Sequence, residues 1–205
     1  MFKTIVNAFK IPDLRKKMLF VVMILLVYRL GAVIPVPFVN SDTLAETFNS
    51  ASGSIFQYLN IMSGEAFSRA TLFALSVQPY ITASIVMQLL TIAIPALERL
   101  QSQGEEGRKK ITTITRYVTV GLGLVTAYGY YAYIKSTGAL ISMSSQGQKV
   151  LAALVIIACY SAGSALVMWM AEKINEFGIG NGISLILFAN ILSSTPRIVS
   201  MLYSF

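Results

Sequence analysis

The sequence contains no histidine and a single cysteine, Cys159, and charged residues make up only 12% of its 205 positions. Each shortage excludes something. The missing histidines remove the commonest metal ligand and the commonest general base. One cysteine cannot build a disulfide framework, and because Cys159 lies inside an apolar run it leaves the redox compartment open. Soluble domains carry about 25% charged residues, roughly twice the share found here. Acids are scarcest, nine Asp and Glu against sixteen Lys and Arg, for a formal net charge of +7. A nucleic-acid surface would interleave those bases with aromatics on a wetted face. They sit instead in short runs between apolar spans, so no nucleic acid is read directly, and they serve better as topology signals.

What is present is hydrophobic. Apolar residues make up 55% of the chain, which puts it among integral membrane proteins whose partner is the lipid bilayer. A helix needs roughly 20 apolar residues to cross the hydrocarbon. The first candidate, Met18–Val36, holds twelve Leu, Ile, Phe or Val residues. They contribute roughly −4 to −7 kcal/mol to insertion, against about +3 for Arg29. Four further spans are expected near Ala74–Leu97, Ile114–Ile134, Val150–Met170 and Ile183–Leu202. Residues 1–17 are basic and amphipathic, and are expected to lie on the membrane surface with Phe2, Val6 and Phe9 inward. A signal peptide begins similarly, but its apolar core is shorter.

Lys3, Lys10, Arg15, Lys16 and Lys17 precede the first span, and Arg99, Arg108, Lys109, Lys110 and Arg116 follow the second. Basic residues favour the cytoplasmic side. The expected topology is therefore five spans with the N-terminus inside and the C-terminus outside, in a multi-pass membrane protein. Residues 37–53 read as an external polar loop. Residues 54–73 are apolar but interrupted, too broken to cross, and read as re-entrant or interfacial. Re-entrant backbone persists at membrane depth only when protein or water covers it.

Polar residues inside the spans suggest where function lies. Gln78, Ile81, Ile85 and Gln88 share one helical face. Glutamines at both ends of such a stripe fit a water-filled hourglass with a dry waist, since apolar constrictions gate by excluding water. They equally fit hydrogen bonds to neighbouring helices. In the fifth span Ile183 and Leu187 stack one turn apart, with Asn190 and Ser194 continuing that face. Arg29 faces protein or snorkels to the outer interface. Gly121, Gly123, Gly129 and the "SAGSA" run at Ser161–Ala165 read as helix-packing surfaces. The Gly178, Gly180 and Gly182 spacing lacks the preceding strand a dinucleotide site needs.

Four stretches, "VYRLGAVIPVPFV", "SGEAFSRATLFALSVQPYITASIVMQLL", "GEEGRKKITTITRY" and "EFGIGNGISLILFANI", resemble the N-terminal half of the SecY family of protein-conducting translocation channels. The resemblance implies an all-α membrane fold: five transmembrane helices plus a short re-entrant plug helix, one half of an inverted-repeat ten-helix channel. It implies a pore ring of Ile81, Ile85, Ile183 and Leu187, with Gln78, Gln88 and Asn190 facing the funnels. Asn60, Ile61, Met62, Ser63, Gly64, Glu65, Ala66, Phe67, Ser68 and Arg69 resemble the plug. The second and third spans resemble one wall of a lateral gate, and Arg108, Lys109 and Lys110 face cytoplasmic partners. Two departures stand out. Glu65 occupies a plug position that is usually glycine, and Ser76 and Gln78 stand where glycine and an apolar residue are common.

The implied partners are a translocating polypeptide with its signal sequence, small SecE- and SecG-type subunits, and a SecA-type motor ATPase or a ribosome. The implied function is passage of unfolded secretory polypeptides, with no enzymatic step, no cofactor and no metal. Because the sequence stops at Phe205 after five expected spans, it reads as a half-channel, incompetent alone, with an inverted homodimer as one way to cover its open face. A small inverted-repeat transporter or facilitator is the alternative. Coupled transport usually places acids or histidines within the spans, and all nine acids here read as loop or span-edge residues. An intramembrane enzyme would need a nucleophile with a base, and Ser84 and Cys159 have neither histidine nor carboxylate nearby in sequence.

Overall fold

The computed structural model describes residues 11–50, 55–141 and 145–203. The surface helix expected at the N-terminus lies mostly outside that range. Among the described residues the chain is helical without strands: α1 (Pro12–Gly31), α2 (Ser41–Ser50), α3 (Ile55–Ser63), α4 (Gln78–Ala93), α5 (Pro95–Ser102), α6 (Glu105–Ser136), α7 (Gln146–Phe177) and α8 (Gly182–Tyr203). Two isolated antiparallel bridges, Pro35 with Thr71 and Val39 with Leu140, tie the connections together.

Local chemistry sets the helix ends. Pro12 occupies the first turn of α1, where its missing N–H costs nothing, and Asp13 and Arg29 sit at the ends that suit their charge. Gly104, at φ +76°, turns the chain into α6, whose first turn carries Glu105 and Glu106 and whose last carries Lys135. At α8 the Asn181 side-chain oxygen accepts from the amides of Ile183 (3.0 Å) and Ser184 (3.4 Å), which satisfies orphan donors of the first turn.

The second expected span is shorter than its apolar sequence. Regular helix begins only at Gln78, because Ala74–Val77 is folded into turns. It ends at Ala93, because Pro95 forces Ile94 into extended backbone (φ −109°, ψ 112°). The axis bends by 99° into α5. By length and composition α7 is apolar enough to cross a membrane, and α4 with α5 form a second, bent candidate. Helices α1, α6 and α8 occupy the other three stretches expected to span. α1 and α6 begin with charged turns, which dilute their apolar runs.

The stretch read as an external polar loop contains a helix. The Asn40 side chain accepts from the amides of Asp42 (3.1 Å) and Thr43 (3.4 Å). Leu44 and Phe48, one turn apart, are buried against Phe67 and Ile134 in a shared core. Capping residue plus one apolar i,i+4 pair is a weak signal in so polar a run, and burial of that pair is what stabilises α2.

A second core joins α1, α7 and α8 through Val21, Ile24, Tyr28, Val167, Ile174 and Ile186. Glycines let the backbones approach. A Cβ on Gly163 of α7 would come within 2.1 Å of the Leu72 carbonyl oxygen, and one on Gly182 within 2.1 Å of the Ala171 carbonyl oxygen. Gly123 of α6 faces the Ser164 hydroxyl in the same way, at 2.8 Å. Gly121 and Gly129 make no such approach among the described residues: nothing there lies within 4 Å of a Cβ built on either.

Gly163→Val is therefore expected to destabilise the fold by about 1–3 kcal/mol, the usual range for overpacking. Gly121→Ala should stabilise by up to about 1 kcal/mol through helix propensity. Chemical denaturation of the purified chain in mild detergent reads both, and a neutral Gly163→Val would contradict the close approach.

Candidate functional site

Residues 60–77, the last turn of α3 and the turns that follow it, are packed among the long helices, and the turn backbone must find hydrogen bonds there. Asn60 begins the accounting. Its carbonyl accepts from the Glu65 amide at 2.9 Å, and its side-chain oxygen accepts from the Ser68 amide at 2.9 Å. The Ser63 hydroxyl donates to the Asn60 carbonyl and accepts from the Phe67 amide. Gly64 (φ +64°) and Glu65 (φ +68°) both adopt left-handed backbone, as do Ala70 and Ser76. The plug resemblance thus falls on the last turn of α3, Asn60–Ser63, followed by turns, and not on one continuous helix.

Neighbouring helices supply the remaining partners. Tyr130 of α6 donates to the Phe67 carbonyl and Tyr160 of α7 to the Ala70 carbonyl, the latter at 3.5 Å. The Ala70 carbonyl also accepts from the Val36 amide at 3.0 Å, and the Leu72 amide donates to the Ile34 carbonyl at 2.9 Å. Phe67 stacks on the Tyr130 ring with centroids 4.3 Å apart. On the α8 side, the Asn190 amide nitrogen donates to the Met62 carbonyl (2.9 Å) and to the Ser76 hydroxyl (3.2 Å). Tyr28 of α1 shares a 3.2 Å hydrogen bond with the same hydroxyl.

Gly64 is wedged where no side chain fits. A Cβ there would lie 3.1 Å from the Arg29 guanidinium and 3.2 Å from the Asn190 backbone, in addition to the strain of its positive φ. Arg29 faces protein, not the outer interface. Its Nη2 donates to the Ala189 carbonyl at 3.3 Å.

The four apolar residues expected to form a ring do not behave alike. Ile81, Ile183 and Leu187 are partly buried and border the same core, the one built on Val77, Phe73 and Ile186. Ile85, one turn further along α4, is 52% exposed. Gln78 is exposed at the lip of an apolar cavity of about 390 Å³, which lies between Met62 and Phe67, Thr126 and Tyr130 of α6, and Leu187. Gln88 is exposed in a shallower groove beside Gln101 and Arg108. Asn190 departs most from expectation. It is fully buried, so in this structure it faces no open funnel, because the plug-like segment covers it.

Arg108, Lys109 and Lys110 are exposed at the start of α6. Arg116, one face further along, pairs with Glu172 of α7 at 2.9 Å. That pair clamps α6 to α7 near the same end of the bundle as Lys173 and Glu176. Among the described residues no group of three or more potential metal ligands converges.

Ser76, Tyr28, Tyr130 and Tyr160 carry more of this site than their sequence context suggests. Only Ser76 gave a signal, as a residue standing where glycine is common. The tyrosines look like ordinary apolar-span residues until the buried carbonyls they serve are located.

A sequence model of the SecY family matches residues 71–205. The chain belongs to the SecY family. Relatives named protein translocase subunit SecY include those of Streptomyces coelicolor (43% identical, 96% of this chain, 46% of the relative), Thermus thermophilus (42%, 94% and 44%) and Bacillus subtilis (40%, 99% and 46%). This SecY-family chain thus spans less than half the length of those relatives. Among solved structures it is similar to the Sec61 chain of a canine ribosome–channel complex from the endoplasmic reticulum. That match has a TM-score of 0.61 at 21% identity, over 88% of this chain and 37% of that one. A likeness at that identity supports the SecY/Sec61-like fold.

Glu65 offers a measure of backbone strain in this irregular segment. Left-handed backbone costs a residue with a side chain roughly 1–2 kcal/mol. Its ion pair with Arg69 (2.9 Å) joins a largely exposed guanidinium to a mostly buried carboxylate, 21% exposed, and with one partner in water such a pair contributes only modestly. Glu65→Gly should therefore raise stability by about 1 kcal/mol, read as a shifted denaturation midpoint. A loss of comparable size would mean that the carboxylate holds the segment.

Proposed function

We propose that this SecY-family chain supplies the N-terminal half of the pore of a protein translocation channel, passing unfolded secretory polypeptides across the membrane and apolar segments sideways into the bilayer. One observation carries the reading. A non-helical segment, satisfied by donors from α1, α6, α7 and α8, is seated beside the core that Ile81, Ile183 and Leu187 border. Such backbone is stable at membrane depth only when covered. A movable cover over an apolar waist is what a channel needs if it must hold back ions and still admit a polypeptide.

In this reading Ile81, Ile85, Ile183 and Leu187 are four members of the ring, and residues 60–69 are the plug. The exposure of Ile85 follows from the ring being half built: its remaining neighbours come from the second half of the channel. Gln78 and Gln88 mark polar approaches on either side. Asn190 joins the wetted outer funnel only when the plug leaves. Helices α4 and α6 form one wall of the lateral gate, and the apolar cavity between the plug and α6 lies along that wall.

The protein sits in the bacterial plasma membrane with α1, α4, α6, α7 and α8 as its five spans, the N-terminus cytoplasmic. Residues 1–17 form a surface segment, 37–53 the external connection and 54–73 the plug region. Arg108, Lys109 and Lys110 face the cytoplasm, where a motor ATPase or a ribosome docks. SecE- and SecG-type subunits surround the helices, and a second half-channel, from the same or another chain, closes the ring. The chain performs no covalent chemistry.

The test is conductance. In a full-length channel carrying this half, Ile81→Ser and Ile85→Ser should each raise resting ion leak across planar bilayers several-fold and relax signal-sequence selection. Unchanged conductance for both substitutions would overturn the pore reading. Saturable uptake of a small solute by liposomes carrying the chain would point to a transporter instead.

A further inference from the structure

We propose that Ser76 and Asn190 are positioning residues that tether the plug-like segment, the Ser76 hydroxyl joining α1 to α8 and the Asn190 amide carrying the link to the end of α3. The inference rests on reading residues 60–69 as a plug, and it adds what holds that plug in its seat.

Ser76 is buried, and its φ of +48° lies in the left-handed region that favours glycine. A side chain at such a position persists when its contacts offset the strain. Here the compensation is specific. The hydroxyl bonds to Tyr28 of α1 at 3.2 Å and accepts from the Asn190 amide of α8 at 3.2 Å. With glycine at position 76, neither bond would exist.

Asn190 carries the load onward. Its amide nitrogen also donates to the Met62 carbonyl at 2.9 Å. Met62 lies in the last turn of α3, where carbonyls run out of helical donors. A side chain of α8 therefore caps the helix that leads into the plug. The neighbouring residues reinforce the contact: Arg29 donates to the Ala189 carbonyl, and Gly64 fits between Arg29 and Asn190. Residues 28–29 of α1 and 189–190 of α8 thus meet the plug segment from two sides.

The tether is also incomplete. Among the described residues Asn190 Oδ1 is buried without a hydrogen-bond partner, a state that costs free energy. When the plug moves out, that oxygen gains access to water. The cost is relieved on release, so the tether holds the segment without locking it.

Hydrogen exchange of the chain in lipid nanodiscs tests this, following amides 64–70 with residues 165–174 of α7 as an internal reference. The variants are Ser76→Ala, Ser76→Gly and Asn190→Leu. Losing a buried hydrogen bond should speed exchange at 64–70 by about five- to tenfold, with the reference unchanged. The glycine variant is decisive, because it relieves the backbone strain while removing the hydroxyl. Its melting temperature should hold or rise while its plug amides exchange faster.

Unchanged exchange in both serine variants would overturn the proposal. So would wild-type protection in Ser76→Gly beside loss in Ser76→Ala, since backbone geometry would then be the holding force. Equal acceleration of the reference would reduce the effect to general loosening and also overturn it. If Asn190→Leu fails to fold, the serine pair decides alone. Loosened amides with unaltered conductance in the Ile81 and Ile85 variants would sink the pore reading and leave the tether standing; the opposite pattern would sink the tether alone.

Discussion

Everything in this molecule is arranged around the need to satisfy irregular backbone surrounded by apolar helices. Residues 64–77 leave helical geometry four times through left-handed φ values, and each departure frees amides and carbonyls that lipid could not serve. The donors come from far along the chain. Tyr130 and Tyr160 reach in from α6 and α7, Asn190 from α8, and the Val36 amide from the end of α1's connection. Local turns do the rest, through Asn60 and Ser63. The segment is therefore held by the whole bundle and not by its own sequence.

Close packing follows from the same need. For Leu72 to lie against α7, its carbonyl must approach a position with no side chain, which Gly163 provides. For α8 to meet α7, Gly182 must lie against the Ala171 carbonyl. Gly31 admits the Phe73 ring, which stacks on Tyr28 with centroids 5.4 Å apart. Between membrane helices, where lipid tails are as apolar as leucine, contacts of this kind and a few hydrogen bonds replace the hydrophobic effect as the organising force. The buried tyrosines serve both purposes, offering large rings for packing and hydroxyls for the orphaned carbonyls.

Much of the arrangement was legible beforehand, and the failures have identifiable causes. The long apolar runs announce helices through hydropathy alone, and the interruptions within 60–77 announce turns. Glu65 and Ser76, at positions where the family resemblance implies glycine, are two of the left-handed residues. Helix α2 escaped notice because a single Leu44–Phe48 pair in a polar run is weak until its partners are known. Asn190 was assigned to a funnel because it continues the Ile183–Leu187 face. Periodicity gives the face of a helix but not what covers it, and here Met62 and Ser76 lie against Asn190. Gly121 and Gly129 show the same limit: small residues in apolar helices suggest packing, yet no described residue of this chain lies within 4 Å of a Cβ built on either.

The sequence by itself determined the class of solvent, the helical fold and the family, because these depend on composition, on hydropathy over about twenty residues and on long motifs that survive as strings. Only the tertiary structure decided which residues meet. The joining of Tyr28, Ser76 and Asn190 spans most of the chain, and the separation of Ile85 from its three expected companions has no local signature. Contacts between distant residues depend on how α1, α4, α7 and α8 cross, and crossing is set by the sum of many close approaches that no single stretch of sequence contains.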